Sequence, residues 1–198
     1  MALSFSLLAE TAYVVVVVCW ILFAVIFLVG KKGASRSDTK RATSSLLGLV
    51  LQCVAYAAVW VFPRPRFTAI VPLPRAAEAV AAIATMAIAL GSIWFCLAAV
   101  RALGRQWALE ARVIEGHDLV TLGPYSVVRN PIYLGMFGLL VATGLALSRW
   151  EALVAAVVLF LAGNQIRIRS EEKLLREAFG AQFEEYARRV PAFFPRLI

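Results

Sequence analysis

Charged residues are scarce in this chain. Asp, Glu, Lys and Arg make up 16% of the 198 residues, whereas apolar residues make up 62%. Soluble domains contain about 25% charged and about 45–50% apolar residues. A water-soluble fold of this size would leave many apolar side chains in water. The composition therefore excludes an ordinary soluble domain and favours one membrane-embedded domain.

Cysteine and histidine are also rare. Cys19, Cys53 and Cys96 each lie inside an apolar run, with no metal-ligand or redox spacing between them. We interpret them as small hydrophobic residues, which indicate nothing about the redox compartment. His117 is the single histidine, and we predict no metal site.

Five apolar segments are candidates for membrane-crossing helices. A hydrocarbon core about 30 Å thick needs roughly 20 apolar residues in a helix, and a segment in lipid must pair its own backbone groups. The segments are 12–29, 45–62, 76–100, 132–147 and 150–166. Only Ser148 and Arg149 separate the last two, which predicts an antiparallel hairpin. We predict an all-α integral membrane protein with about five transmembrane helices.

Basic residues are concentrated on one side of this predicted bundle. Sixteen of the twenty Lys and Arg follow the first span, lie between the third and fourth spans, or follow the fifth. The other four are Arg64, Arg66, Arg75 and Arg149. The positive-inside rule then places the N-terminus outside and the C-terminus in the cytoplasm. Because Glu10 precedes the first span and a basic leader is lacking, we expect a retained span rather than a signal peptide.

The net charge of +8 is explained by topology and by anionic lipid headgroups. Binding of nucleic acid would require a basic soluble domain with stacking aromatic residues, which the sequence lacks, so this class of partner is excluded. Residues 170–189 are polar with an apolar stripe at helical spacing, which predicts an amphipathic helix on the cytoplasmic membrane surface. Gly180 is a candidate break in it.

Polar residues cluster in two cytoplasmic stretches, 103–135 and 164–172. In the first, Pro131 suits the first turn of a membrane helix, whose free N–H groups would stabilise an anionic group. In the second, Arg167 and Glu171 lie four residues apart on one helical face. An exposed pair of this kind would contribute only a few tenths of a kcal/mol. Beside an apolar cleft, the same pair would instead bind ligands, and the spacing alone leaves both interpretations open.

Several ordered motifs carry a family resemblance. They are LGRQW at 103–107, HDLVTLGPY at 117–125, RNPIYLG at 129–135 and EEKL at 171–174, followed by Phe179, Gly180, Tyr186 and the RVP run at 189–191. With these motifs the chain resembles the isoprenylcysteine carboxyl methyltransferase family and, more distantly, the phospholipid N-methyltransferases. The resemblance covers about half of the chain. It divides the chain into an N-terminal three-span region, 1–102, and a methyltransferase-like region, 103–198, with a cytoplasmic loop, the helical hairpin and a cap helix.

The resemblance implies an S-adenosylmethionine site between the helix bundle and its cytoplasmic cap. The implied cofactor contacts are His117, Asp118, Leu119, Val120, Tyr125, Asn130, Pro131, Ile132, Tyr133, Glu171 and, with a looser match, Glu110. The implied catalytic residues are Arg167, which would contact the substrate carboxylate, and Glu171. The acceptor would be a lipophilic molecule or a lipidated protein that reaches the site from the membrane lipids.

One position departs from the family pattern. The family has Arg-His-Pro where this chain has Arg129, Asn130 and Pro131. Asn donates a hydrogen bond to a carboxylate but neither titrates nor carries charge. A cofactor contact therefore survives this change better than an acid or base role. His117 has the alternative interpretation of a structural loop residue.

The chemistry of the acceptor stays open at this level. A carboxylate is ionised at neutral pH and needs no general base, whereas an amine acceptor, as in a phospholipid N-methyltransferase, would need Glu171 or Glu172 to remove a proton. A membrane reductase of the sterol-reductase type shares related motifs but uses a nicotinamide cofactor and usually has more spans. A non-catalytic scaffold would leave the cluster of polar residues unexplained.

Overall fold

The computed structural model describes residues 2–31, 44–65, 68, 70, 74–104 and 119–195. The helices are α1 (Ala2–Lys31), α2 (Ser44–Val61), α3 (Arg75–Leu103), α4 (Pro131–Leu147), α5 (Trp150–Phe179) and α6 (Ala181–Arg189), with a 3₁₀ turn at Gly123–Ser126. Within these ranges there is no strand, and the only sheet-like pairing is one isolated bridge between Pro63 and Ser148. The prediction of an all-α fold is confirmed.

Five of these helices are apolar, which makes the chain an all-α membrane protein. α1, α3 and α5 are long and apolar enough to cross a membrane, and α2 and α4 are shorter apolar helices. Large side chains such as Val18, Ile21, Val54 and Trp94 stay 47–68% exposed on the helix surfaces. Such contiguous apolar surface suits lipid rather than water. The count of five complete spans stays a prediction.

α4 lies in the middle of the bundle and contacts the other four apolar helices. Its glycines permit this because they carry no side chain: a Cβ atom on Gly135 would lie 2.8 Å from the carbonyl oxygen of Ser92 in α3. Toward α1, Thr143 accepts a hydrogen bond of 3.0 Å from the Trp20 indole. Toward α2, the Tyr56 hydroxyl donates to the Met136 carbonyl at 2.9 Å. Small residues therefore serve close helix packing, as in other membrane bundles.

The C-terminal part differs from the single amphipathic helix predicted over 170–189. α5 runs without a break to Phe179, because its buried stripe continues through Arg167, Ile168 and Glu172 beyond the apolar part of the helix. Gly180, with φ of +49°, then ends α5 in a conformation that favours glycine. α6 is a separate short helix that buries Phe183 and Tyr186. The break at Gly180 is confirmed, and the segment before it belongs to α5.

One end of the bundle contains the last residues of α2 and α4 and the first residues of α5. There Arg64 binds the carboxyl end of α4. Its guanidinium donates to the carbonyls of Ser148 at 2.6 Å, Leu145 at 2.6 Å, Ala146 at 3.1 Å and Gly144 at 3.3 Å. The last carbonyls of a helix lack partners within the helix and carry its negative dipole end. One cation thus satisfies most of them.

We expect Arg64→Ala to lower the free energy of unfolding by about 2 kcal/mol, because charge-assisted hydrogen bonds at a helix terminus are lost. Thermal unfolding of detergent-solubilised protein measures this. Arg149→Ala removes an exposed arginine at the same end of the bundle and serves as the control. Equal unfolding temperatures for the two variants would contradict the capping role.

Candidate active site

The opposite end of the bundle brings together the start of α4, the middle of α5 and the first half of α2. α4 and α5 are antiparallel and joined at Ser148 and Arg149. Residues near the start of α4 therefore lie beside residues well along α5. Pro131 occupies the first turn of α4, as predicted, and is fully buried. The last residues of the first polar stretch, from Arg129 on, therefore meet the second stretch, 164–172, at this end.

Tyr133, Arg167 and Glu171 form a cluster that connects α4 to α5, and we call it the Tyr133 cluster. Its first two members are buried and Glu171 is partly buried. The Tyr133 hydroxyl donates a short hydrogen bond to Glu171 Oε1. Arg167 Nη2 lies 3.5 Å from the same oxygen, and its guanidinium carbon lies 5.2 Å from the centre of the Tyr133 ring. Tyr133 and Arg167 are each only 8% exposed. The Arg167–Glu171 pair is therefore not the exposed surface pair that was one interpretation of its spacing.

Burial makes this cluster costly to maintain for stability alone. Removing two charges from water costs several kcal/mol per ion unless geometry and hydrogen bonds compensate. The arrangement offers a cation and a carboxylate close together, with an aromatic ring beside them. It is chemically suited to bind a ligand that has both an anionic group and hydroxyl or ammonium donors.

Gln52 of α2 also belongs to this end of the bundle, although no sequence motif predicted it. Its Oε1 accepts a hydrogen bond of 3.3 Å from Arg167 Nη1, and the residue is 1% exposed. Asn164 of α5, three residues before Arg167, is also buried, at 2% exposed. The available signal was a lone amide inside an apolar span, a position where polar residues are rare and functional.

A second set of charges holds the segment after α6, residues 190–195, which we call the tail. Arg129 Nε and Nη2 bind Glu172 Oε1 at 2.9 Å and 2.7 Å, and Nη1 donates to the Ala187 carbonyl at 3.0 Å and to the Val190 carbonyl. Arg176 forms two ion pairs: its Nη2 lies 3.4 Å from Glu172 Oε2, and its Nε lies 2.8 Å from Glu184 Oε1. Glu172, which was a candidate base for an amine acceptor, therefore lies in the structural link to α6 and the tail.

Asn130 faces the tail as well. Its Nδ2 donates to the Ala192 carbonyl at 2.9 Å, while the backbone N–H of Arg129 donates to the Pro191 carbonyl at 2.9 Å. The side chain makes no capping hydrogen bond to α4. The asparagine that replaces the family histidine thus uses its amide N–H to fix the chain, and its contact with a cofactor stays a prediction.

Three more of the predicted residues lie in the part of the chain that the structure describes: Ile132, Leu119 and Val120. Ile132 accepts a hydrogen bond of 3.6 Å from the Cys96 thiol through its carbonyl. Leu119 packs against the apolar cluster of Phe183, Tyr186 and Val190, and Val120 is half-buried. Glu110, His117 and Asp118 lie outside the described residues, so their cofactor contacts stay predictions.

Two tyrosines join the 3₁₀ turn to α6. Tyr125 is buried, and its carbonyl accepts a hydrogen bond of 2.6 Å from the Tyr186 hydroxyl. Burial, followed by the nearby Tyr186 and Glu171, raises the pKa of Tyr125 well above its usual value. Burial is also the main reason that the pKa of Tyr186 is raised from 10.0 to about 12. Both side chains are therefore neutral at physiological pH, and Tyr186 keeps its donor proton.

This pKa gives a pH dependence of known sign. The folded-state pKa of Tyr186 lies above the unfolded value, so its contribution to stability is complete below pH 10 and is lost as the pH rises to about 12. We expect the unfolding temperature of the wild type to fall more steeply over this interval than that of Tyr186→Phe. Identical slopes for the two proteins in detergent solution would contradict the assignment.

Comparison with known proteins supports the family expected from the motifs. The phospholipid methyltransferase family model matches residues 80–182. The cobalt-zinc-cadmium resistance protein CzcN of Cupriavidus metallidurans is 41% identical over 123 residues, which are 58% of this chain and 52% of that protein. Protein-S-isoprenylcysteine O-methyltransferase B of Arabidopsis thaliana is 37% identical over 87 residues, 44% of each chain. Methanethiol S-methyltransferase 2 of Bradyrhizobium diazoefficiens is 33% identical over 94 residues, 46% of this chain and 34% of that protein.

The chain spans about half the length of the first of these relatives, 52% of CzcN. The family match, by contrast, covers more than half of this chain and contains all of α4 and α5 and every member of the Tyr133 cluster. It begins inside α3, before the boundary predicted at residues 102 and 103. The expected resemblance is confirmed: the chain belongs to the phospholipid methyltransferase family.

Proposed function

We propose that this protein is an S-adenosylmethionine-dependent methyltransferase of the membrane that acts on the carboxylate of a lipophilic acceptor such as an isoprenylcysteine-like molecule. The observation that carries the proposal is the Tyr133 cluster, which places a buried arginine 3.5 Å from a partly buried glutamate at the α4–α5 contact. Family membership and the methyltransferase relatives support it.

The residues at this end of the bundle fit the cofactor. Glu171 is a carboxylate that accepts hydrogen bonds from hydroxyl groups, and the first turn of α4 offers N–H groups and a positive dipole end without a side-chain cap. Glu171, Tyr125, Tyr133 and the start of α4 would hold S-adenosylmethionine. When bound, it supplies a methyl group on a sulfonium for transfer to a nucleophile.

Arg167 would hold the acceptor. A carboxylate is already ionised at neutral pH, so the protein needs to orient it rather than activate it. The guanidinium donates charge-assisted hydrogen bonds to a carboxylate, and correct alignment of two reactants supplies several kcal/mol of the barrier. An acceptor with a lipid-like chain would reach Arg167 from the bilayer between the apolar helices.

Methylation of an amine, as in phospholipids, is the second candidate, favoured by the family to which the chain belongs. An ammonium group must lose its proton before it attacks. Glu172 is held by Arg129 and Arg176, which leaves Glu171 as the carboxylate for that step. A thiol acceptor is a further variant suggested by the methanethiol relative. The stability of the methylated product to alkali separates esters from methylated amines and thioethers.

The proposed orientation has the N-terminus outside and the Tyr133 cluster and C-terminus on the cytoplasmic side, supported by the excess of basic residues there. A fluorescent protein fused to the C-terminus should fluoresce in bacterial cells, whereas a fused periplasmic phosphatase should be inactive. An active phosphatase fusion would reverse the orientation.

The type of cofactor is tested by titration of purified protein in detergent with S-adenosylhomocysteine and with NADPH. We expect saturable binding of the former and none of the latter. Binding of NADPH instead would favour a reductase, and binding of neither would favour a scaffold without catalytic function.

A further inference from the structure

Helices α2 and α5 approach most closely at Gly48 and Gly163. A Cβ atom on Gly48 would lie 2.6 Å from Arg167 Cγ and 2.6 Å from the Gly163 carbonyl oxygen. A Cβ atom on Gly163 would lie 2.6 Å from the Gly48 carbonyl oxygen. The backbones of α2 and α5 are therefore in close contact at these glycines, and the aliphatic part of the Arg167 side chain packs against Gly48. Gln52 follows Gly48 by one helical turn and is brought directly against the guanidinium.

Two buried amide atoms of α2 and α5 have no hydrogen-bond partner among the residues that the structure describes. Gln52 Nε2 and Asn164 Oδ1 make no hydrogen bond within the part of the chain that the structure describes, although Gln52 is 1% and Asn164 is 2% exposed. Gln52 is bound to Arg167 through its other amide atom, and Asn164 precedes Arg167 on α5 by three residues, about one helical turn. Buried polar groups in native proteins nearly always have partners. A polar ligand group or water is therefore expected between these helices.

The two sides of Arg167 are not equivalent. Nη2 faces the charged Glu171, whereas Nη1 faces the neutral amide oxygen of Gln52. An incoming carboxylate would displace a neutral oxygen more readily than a charged one, because hydrogen bonds between ions are the stronger ones. Once displaced, the Gln52 amide can turn its N–H₂ group, now without a partner, toward the same carboxylate.

We propose that Gln52 is an acceptor-binding residue: the acceptor carboxylate binds between Arg167 Nη1 and Gln52 Nε2. This inference rests on the function proposed above and names the residue that selects the acceptor. A carboxylate accepts from both donors through its two oxygens. An ammonium group cannot accept at all, so the same pair of donors disfavours an amine.

The test uses Gln52→Glu in the full-length protein, with N-acetyl-S-farnesylcysteine as acceptor. The new carboxylate has the shape of the glutamine and would occupy Arg167 as an internal competitor. We expect the KM for the acceptor to rise about 10-fold or more, with a smaller change in kcat, while S-adenosylhomocysteine affinity stays within about threefold. Gln52→Leu, which removes the donor, should shift KM in the same direction.

Thr85→Val is the matched control, because Thr85 is a buried polar residue whose hydroxyl donates to the Ala81 carbonyl of its own helix. Its KM should equal that of the wild type. If Gln52→Glu does not fold, Gln52→Asn, which withdraws the amide from Arg167, replaces it with the same expected increase.

Each outcome decides between distinct possibilities. A raised KM in the Gln52 variants alone supports the proposal. An unchanged KM, with only a lower unfolding temperature, would mean that Gln52 binds water or stabilises Arg167 structurally, and would overturn it. A wild-type protein that binds no S-adenosylhomocysteine would instead contradict the proposed function, which separates the two failures.

Discussion

Arg167→Ala should lower methyl transfer to a prenylated carboxylate by about 100-fold or more while leaving affinity for S-adenosylhomocysteine nearly unchanged. The arginine lies on the side of the Tyr133 cluster that faces Gln52, where we place the acceptor. Loss of alignment between donor and acceptor typically costs about this factor. The measurement pairs initial rates with cofactor titration by calorimetry in the same detergent preparation.

Because Arg167 is buried, its loss leaves Glu171 without its cation, which can destabilise the fold. Arg167→Lys therefore accompanies it: it keeps the charge but lacks the planar fork, and should show a smaller loss of rate. Arg169→Ala removes a neighbouring exposed arginine as the matched control. Loss of cofactor affinity in the folded Arg167 variants would show that the division of roles between Arg167 and Glu171 is wrong.

Glu171→Gln should have the opposite signature, with weakened cofactor binding. The amide keeps the shape and can still accept the Tyr133 hydrogen bond, but it loses the charge. Hydrogen bonds to a charged group contribute about 1.5–3 kcal/mol, which corresponds to about 10- to 150-fold in affinity for S-adenosylhomocysteine. Calorimetric titration measures this directly.

Glu177→Gln, an exposed glutamate on the same helix, is the control and should bind like the wild type. Glu172→Gln adds a second comparison, since Glu172 binds Arg129 and Arg176 and thereby the tail. The Glu172→Gln variant should show a clearly lower unfolding temperature and only a small change in cofactor affinity. Unchanged affinity in folded Glu171→Gln would remove Glu171 from the cofactor site.

The apolar helices could be located from sequence because hydrophobicity over about 20 residues is a strong local signal. The turn at Ser148 and the start of α4 at Pro131 could also be predicted, because their sequence signals are local. The assignment of residues 170–179 to α5 could not be predicted locally. It involves an ion pair between Glu172 and Arg129, which lies 43 positions away. A polar composition could not distinguish that extension from a separate surface helix.

For the candidate site, spacing placed Arg167 and Glu171 on one face but could not decide whether the pair was exposed. The exposure of the pair is instead determined by Tyr133 and Gln52, which lie on two other helices and contact Glu171 and Arg167. Gln52 itself was invisible to motif comparison because it precedes the matching region, 80–182. Asn130 departs from the family pattern, yet its partner, the Ala192 carbonyl, could not be predicted from a local pattern.

The most direct test of the central claim follows the methyl group itself. Purified protein is incubated with tritium-labelled S-adenosylmethionine and N-acetyl-S-farnesylcysteine, and the extracted lipophilic product is treated with mild alkali. Carboxyl methylation predicts extractable label that alkali releases as volatile methanol, and that is absent when the acceptor is the carboxamide. Extractable label that survives alkali would contradict carboxyl methylation. So would the absence of labelled product from a protein preparation that binds S-adenosylhomocysteine in a separate titration.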